Sequence, residues 1–287
     1  DLAEHWSEAM DLWKKAERVS GLPLREIYWD GDENAMAVTR NLQPALTVVN
    51  MNLWCFLAEK LNPAAVAGHS LGEFAALFAA RVLPMDSVLE LVCLRGKLMD
   101  EAVNQDGRMA AILKLDQAKV AELVAAAAGL TGQEIRIANY NTPGQFVISG
   151  HAQAVDHVCA GVKPLKGRAL VLPVSNAFHS PYMREAGDEL AKHMDKLDWR
   201  DPKIPVYLNV TGKPQADGQA LKETVKRQMT SSVYWTQTIE NQYADGMRSF
   251  MELGPKGALS RMIAQILKDH DGVETLSVST LEHAASL

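Results

Sequence analysis

The sequence predicts an α/β fold, a large layered domain interrupted by a small ferredoxin-like (α+β) domain. Three observations predict it. The short apolar run Ala64-Ala65-Val66-Ala67 passes through Gly68-His69-Ser70-Leu71-Gly72 directly into the helix-forming run Glu73 to Leu77, a strand-to-helix junction. Helical and strand-like segments alternate on both sides of the chain's middle, as they do in layered α/β domains. Between them, residues 107–174 read β-α-β-β-α-β, the order of a ferredoxin-like unit. The expected division is 1–106 with 175–287 for the large domain and 107–174 for the inserted one.

Composition narrows the function classes. A chain of 287 residues with 47% hydrophobic content can bury a full core. No apolar run approaches the ~20 residues of a membrane span. The opening Asp1-Leu2-Ala3-Glu4-His5-Trp6 lacks the basic-then-apolar order of a signal peptide, so the expected address is the cytoplasm. A net charge of -6 argues against nucleic acid as a partner. Cys55, Cys93 and Cys159 sit in apolar or helical surroundings without CxxC spacing and read as reduced thiols. His151, His157 and Cys159 do not share a helical face, which argues against zinc. Gly254-Pro255-Lys256-Gly257 is not followed by Gly-Lys-Ser/Thr, so no nucleotide loop is inferred.

Taken in order, Leu2 to Val19 reads as a helix with Trp6, Met10, Leu12 and Trp13 among charges, stopped by Gly21-Leu22-Pro23-Leu24. A second helix spans Leu42 to Leu61, with Leu46, Val49, Leu53, Phe56 and Leu57 on its apolar stripe and Asn62-Pro63 after it. After the junction at Ser70, Pro84-Met85-Asp86-Ser87 opens another helix, where Ser87 and Glu90 have the spacing of a capping box. Then come strand Met109 to Leu115, helix Gln117 to Ala128, and strands Ile135 to Asn139 and Phe146 to Ser149 joined through Asn141-Thr142-Pro143-Gly144. Helix Gln153 to Ala160 and the extended Ala169 to Pro173 complete the small unit. Downstream, Ile204 to Val210 reads as strand, Gln219 to Met229 as helix, and Val233 to Met247 as mostly helix around Trp235. Strand Ser249 to Leu253, helix Gly257 to Lys268 and strand Thr275 to Val278 close the chain.

Three side chains and one backbone amide carry candidate chemistry. Ser70 lies in Gly-x-Ser-x-Gly, a nucleophile elbow in which Gly68 and Gly72 are expected to make room for a tight turn. The Leu71 amide, next in line, would point where an oxyanion forms during acyl transfer. Arg95 falls on the apolar stripe of its helix, seven residues after Val88 and four after Leu91. An inward guanidinium needs an anion: either an internal salt bridge or a substrate carboxylate, which its planar fork suits. His179 precedes Ser180, an N-cap candidate with Pro181 at the first helical position, so a helix dipole would disfavour its imidazolium and leave a neutral base. On these residues alone it stands equally as a loop histidine without a role.

Together these segments resemble the malonyl-CoA:acyl carrier protein transacylases and the malonyl-loading acyltransferases of polyketide synthesis, over nearly the whole chain. Gly68-His69-Ser70-Leu71-Gly72-Glu73 resembles the family's nucleophile motif, and Arg95 falls at its carboxylate-binding position. Ala138-Asn139-Tyr140-Asn141-Thr142-Pro143-Gly144-Gln145 is similar to its small-domain loop, and Asn176-Ala177-Phe178-His179-Ser180 to its catalytic-histidine motif. Gln228, ahead of Val233-Tyr234-Trp235, resembles the residue whose backbone carbonyl orients that histidine, and Glu252-Leu253-Gly254-Pro255 resembles a late strand and turn.

The resemblance implies an α/β-hydrolase-like large domain and ping-pong transfer of malonyl from malonyl-CoA to an acyl carrier protein. Ser70 would be the nucleophile, His179 the base, the Gln228 carbonyl its orienter and the Leu71 amide an oxyanion donor. Arg95, His69, Phe178 and Asn141 would line the substrate. Phe178 would crowd out an α-methyl branch. Coenzyme A enters as part of the substrate, with no bound cofactor or metal expected. The family also implies a Gly-Gln-Gly-Ser stretch ahead of the first helix, whose glutamine is a second oxyanion donor; no residue from Asp1 onward is assigned that role. Carrier proteins being acidic, docking would use Lys163, Lys166 and Arg168, or Lys222, Lys226 and Arg227. Two other readings stand beside this one: a serine hydrolase or thioesterase that finishes with water, and a non-catalytic carrier-docking module.

Overall fold

The computed structural model describes residues 2–102, 106–174 and 176–287. Ser175, where the second domain boundary is expected, lies outside the described residues. The first predicted helix is divided in two, α1 (Leu2–His5) and α2 (Ser7–Ser20), because Trp6 between them is extended at φ -137° and ψ 113°. Gly21 ends α2 in the left-handed conformation, its N–H returning to the Glu17 carbonyl. Two helices that the sequence reading passes over come after it, α3 (Leu24–Trp29) and α4 (Glu33–Ala37), both too short to show a helical period. Next are α5 (Thr39–Leu57), β1 (Val66–Ala67), α6 (Gly72–Ala79) and α7 (Met85–Glu101).

The capping box expected at Ser87 does not form. Helix α7 begins three residues earlier than a Ser87 cap would place it, at Met85 behind extended Pro84, and no side chain caps it. Pro84 supplies the fixed φ that starts the helix, which leaves Ser87 inside its first turn. Helices α2, α5, α6 and α7 enclose one core, in which Leu12, Val48, Met51, Phe74, Leu77 and Leu89 are buried.

The small unit is β2 (Gly107–Leu113), α8 (Gln117–Thr131), β3 (Ile135–Thr142), β4 (Gln145–His151), α9 (Ala152–Val162) and β5 (Arg168–Val171). Its strands pair antiparallel in the order β3-β4-β2-β5, that of a ferredoxin-like sheet. Ile112, Val120, Phe146, Ile148, Val155 and Val158 form its own core. His151 heads α9 and its ring nitrogen accepts from the Gln153 N–H at 3.2 Å, a capping task that accounts for its place.

The chain returns through a 3₁₀ turn, Pro181–Met183, into α10 (Arg184–Met194). Beyond it lie β6 (Val206–Tyr207), β7 (Pro214–Gln215), α11 (Gly218–Val225) and a second 3₁₀ turn, Gln228–Thr230. The closing elements are α12 (Trp235–Ala244), β8 (Ser249–Leu253), α13 (Ala258–Ile266), β9 (Glu274–Val278) and α14 (Leu281–Ala285). The strand expected over Ile204 to Val210 shrinks to two residues. Upstream of it the Lys203 N–H is taken by the Ala80 carbonyl at 2.8 Å, and downstream the chain turns, with Gly212 N–H returning to Leu208 at 2.8 Å.

Two pairings bring distant segments together around Ser70. β1 runs parallel to β6, so the segments leaving both strands emerge side by side. The outer strand β3 of the small sheet is fastened to the segment after the second 3₁₀ turn: Tyr140 N–H to Val233 O at 2.9 Å, Val233 N–H to Ala138 O at 2.8 Å, and Ser232 Oγ–H to Ile137 O at 2.7 Å. Among the described residues no helix is long and apolar enough to cross a membrane.

Candidate active site

The elbow is built from backbone constraints. A Cβ on Gly68 would lie 2.0 Å from the Gly72 carbonyl carbon, so only glycine fits there. At Gly72 an added Cβ meets nothing within 4 Å, which corrects the expectation that both glycines make room. The tight contact is one-sided: Gly72 is the first residue of α6, where an added Cβ has open space. Asn209, two residues past β6, secures the turn: its Nδ2 donates to Gly68 O at 2.6 Å, and its Oδ1 accepts the Ser70 N–H at 2.6 Å. Ser70 is thereby held at φ 50°.

His179 also has positive φ, 55°. Its Nε2 lies 2.9 Å from Ser70 Oγ, and its Nδ1 lies 3.0 Å from Gln228 O and 3.1 Å from Ser231 O. Two carbonyls can only accept, so Nδ1 carries the proton and Nε2 presents a lone pair to the serine hydroxyl. Burial pushes the imidazole down to about 3, and the Arg95 charge adds to this while the two carbonyls oppose it. The neutral base is thus present, with a cause that differs from the expected helix dipole. Ser180 accepts the Tyr182 N–H as a cap, but what it heads is a three-residue 3₁₀ turn rather than a full α-helix.

Arg95 is 1% exposed, and its hydrogen bonds run to neutral acceptors: Gln43 Oε1 at 2.7 Å, Ser70 Oγ at 3.0 Å and Gln228 Oε1 at 3.1 Å. Among the described residues its Nε–H has no acceptor. The guanidinium carbon stands 5.6 Å from the Phe74 ring centre. Gly96, next along α7, lets α5 approach closely: a Cβ there would meet Gln43 Cβ at 3.3 Å, and that proximity is what lets Gln43 reach the guanidinium. Burial pushes Arg95 down to about 10, against the pull of Glu73, so it remains charged at neutral pH. Of the two expected partners for an inward arginine, the internal ion pair is absent among these contacts.

The other anticipated residues fall around this centre. No acceptor takes the Leu71 N–H among the described residues, and Leu71 is the N-cap of α6. His69 and Asn141 bond each other, Nε2 to Oδ1 at 2.8 Å, so the small sheet reaches the elbow directly. The His69 ring meets Trp235 edge-on at 5.6 Å, and burial lowers its pKa while Asn141 resists. Phe178 is half-buried and packs against both the large core and a cluster of Met109, Ala138 and Val147.

Four groups escape the sequence reading: Gln43, Glu73, Asn209 and the Ser231 carbonyl. Glu73 is 1% exposed and accepts from Asn209 N–H at 2.7 Å and from Gln228 Nε2 at 2.5 Å. Gln228 contributes its side chain as well as the anticipated carbonyl, with Nε2 also donating to Ser70 O at 2.9 Å. Gln43 is one of four buried polar residues on α5, with Asn41, Thr47 and Asn52, and polar residues recurring on a helix face that is also lined by Val48, Met51 and Leu53 are a signal that could have been read in advance. Chemically, the cluster pairs an activated hydroxyl with a neutral base and a buried cation, the parts of acyl transfer on an anionic acyl group.

Comparison with known proteins agrees. The acyl transferase domain family matches residues 2–284. The malonyl CoA-acyl carrier protein transacylase of Escherichia coli (strain K12) is 34% identical, over 100% of this chain and 92% of that protein. The enzyme of the same name from Staphylococcus aureus (strain MSSA476) is also 34% identical, over 98% of this chain and 91% of its own. Among solved structures, an acyl carrier protein S-malonyltransferase from Vibrio cholerae superposes with TM-score 0.93 at 34% identity, covering 100% of this chain and 93% of that one. A malonyl-transacylase in complex with its type II PKS acyl-carrier protein gives TM-score 0.93 at 32% identity, covering 100% and 92%. The chain belongs to the acyl transferase domain family.

Proposed function

We propose that this chain moves a malonyl group from malonyl-CoA to the phosphopantetheine thiol of an acyl carrier protein, by ping-pong through a malonyl ester on Ser70. The observation that carries the reading is a hydroxyl 2.9 Å from a neutral imidazole and 3.0 Å from a buried guanidinium that has no carboxylate of its own to hold.

In the first half-reaction His179 Nε2 takes the Ser70 proton as Oγ attacks the thioester carbonyl. The oxyanion accepts the Leu71 N–H, and Nδ1–H, held by the Gln228 and Ser231 carbonyls, keeps the imidazolium oriented. Collapse breaks the C–S bond, and CoA leaves with the proton from Nε2. Arg95 then exchanges its neutral acceptors for the malonyl carboxylate, a charge-assisted and bidentate contact. In the second half-reaction the carrier's thiol gives its proton to His179, attacks the ester, and Ser70 departs reprotonated. His69, Asn141 and Phe178 line the acyl pocket. The reading also divides the chain into a catalytic domain, 1–106 with 175–287, and an inserted domain, 107–174, meeting at the His69–Asn141 bond.

The test is acylation by malonyl-, methylmalonyl- and acetyl-CoA, followed by intact mass in wild type and Arg95→Ala. Wild type should load malonyl in preference to acetyl, and Arg95→Ala should narrow that preference by about tenfold or more, the worth of a charge-assisted contact. Unchanged discrimination would remove Arg95 from the substrate site. Rapid release of free malonate without carrier protein would make the chain a hydrolase.

A further inference from the structure

A buried arginine without a carboxylate in contact needs its charge balanced some other way, since an uncompensated cation is costly in a protein interior. The balancing charge in this site is one amide away. Glu73, three residues past Ser70 on α6, accepts the Gln228 Nε2–H at 2.5 Å, and Gln228 Oε1 accepts from Arg95 at 3.1 Å. The two ends of an amide are nearly the same shape but opposite in hydrogen-bonding sense. A carboxylate can only accept, so it selects the orientation with NH2 toward itself and oxygen toward the guanidinium. The reversed amide would set donors against donors.

We infer that Glu73 is a positioning residue for Arg95: through the Gln228 amide it supplies the guanidinium's counter-charge without touching it. The cation stays beside Ser70 while keeping its donors available to an incoming carboxylate. A direct Glu–Arg ion pair at this site would occupy those donors, and removal of the acid altogether would leave the guanidinium uncompensated. The inference rests on the malonyl-transfer reading for the identity of the incoming carboxylate.

The surroundings of Glu73 fit an ionised acid. Both its oxygens face N–H donors, Asn209 N and Gln228 Nε2, so a proton on the carboxyl would find no acceptor unless Gln228 reversed. Burial pushes the carboxyl up to about 7, against those two donors and Arg95. The charged group acting on it is Arg95 on α7. Its hydrogen-bond partners, Asn209 at the β6 exit and Gln228, are neutral.

The test compares malonyl-CoA with acetyl-CoA loading from pH 6 to 8 in wild type, Glu73→Gln and Gln228→Met, each rate expressed per active site, with crystal structures of both variants. Wild type should favour malonyl more strongly as pH rises through about 7. In either variant the malonyl-to-acetyl ratio should fall about tenfold or more and lose that pH dependence, with Arg95 displaced from Ser70. A purely structural role would lower both loading rates together and leave their ratio unchanged; that result, or Arg95 unmoved in both variants, would overturn the inference. Wild type without a malonyl preference would instead remove the malonyl reading, and the position of Arg95 in the variants would then decide the role of Glu73 by itself.

Discussion

Ser70 and His179 hold φ of 50° and 55°, a region that side chains other than glycine rarely keep without compensation. For Ser70 the compensation is Asn209, which takes the serine's N–H and donates to Gly68. For His179 it is the pair of carbonyls that fix the ring. Replacing His179 with alanine should lower the transfer rate by about 10²–10⁴, the usual worth of a positioned general base, as stopped-flow loading of Ser70 can measure. The same residue leaves a mark on stability. An unfolded chain protonates His179 near 6.5 and the folded chain resists until about 3, so the unfolded state binds the extra proton in between. The stabilising contribution is complete above 6.5 and is lost as pH falls through that window. Urea titrations should therefore show a steeper acid decline in wild type than in His179→Asn, and equal slopes would contradict the burial of a neutral imidazole. Ser70 and Arg95 are legible in the sequence because each carries a local mark, flanking glycines and a charge on an apolar stripe, whereas His179 becomes legible only through the resemblance of Asn176-Ala177-Phe178-His179-Ser180 to a family motif. Glu73 and Asn209 are not, because their partners lie more than 130 positions away along the chain.

At the level of single elements, the elbow separates two glycines that look equivalent in the motif. Gly68→Ala forces a Cβ to within 2.0 Å of backbone and should cost more than about 3 kcal/mol, beyond ordinary overpacking. Gly72→Ala enters open space inside α6 and should gain up to about 1 kcal/mol from helix propensity. Thermal unfolding of the two variants decides this; equal losses would mean that the turn does not need the close approach at Gly68. Long periodic elements such as α5 and α7 could be read from the sequence to within a few residues. The short strands β1 and β6 could not be bounded, because two residues carry no period and their extent is set by which carbonyls of neighbouring segments claim the flanking N–H groups. The Ser87 capping box failed for a related reason: a local pattern lost to the stronger start at Pro84.

Across the whole molecule, the small sheet and His179 are mechanically joined. Strand β3 bonds the 228–236 segment through Tyr140, Ile137 and Arg136, and that segment supplies both carbonyls on His179. The β-α-β-β-α-β order of the insert is visible in sequence, whereas this fastening is not, since Ser232 and Ile137 are 95 positions apart. Of the two basic clusters considered for carrier docking, Lys222 and Lys226 are committed to Asp195, with Lys226 also on Glu223. Lys163, Lys166 and Arg168 are exposed beside Leu165, Leu170 and Val171, which are 43%, 39% and 56% exposed. Charge reversal at these three should slow transfer to carrier protein by about tenfold or more and spare loading of Ser70 from malonyl-CoA; equal slowing of both steps would place docking elsewhere. The most direct measurement is peptide mass mapping after exposure to malonyl-CoA, with and without a carrier-protein chase. A single malonyl group on the peptide containing Ser70, discharged by the carrier's thiol and absent in Ser70→Ala, is the predicted result. A label on any other residue, or malonylation that persists without Ser70, would contradict it.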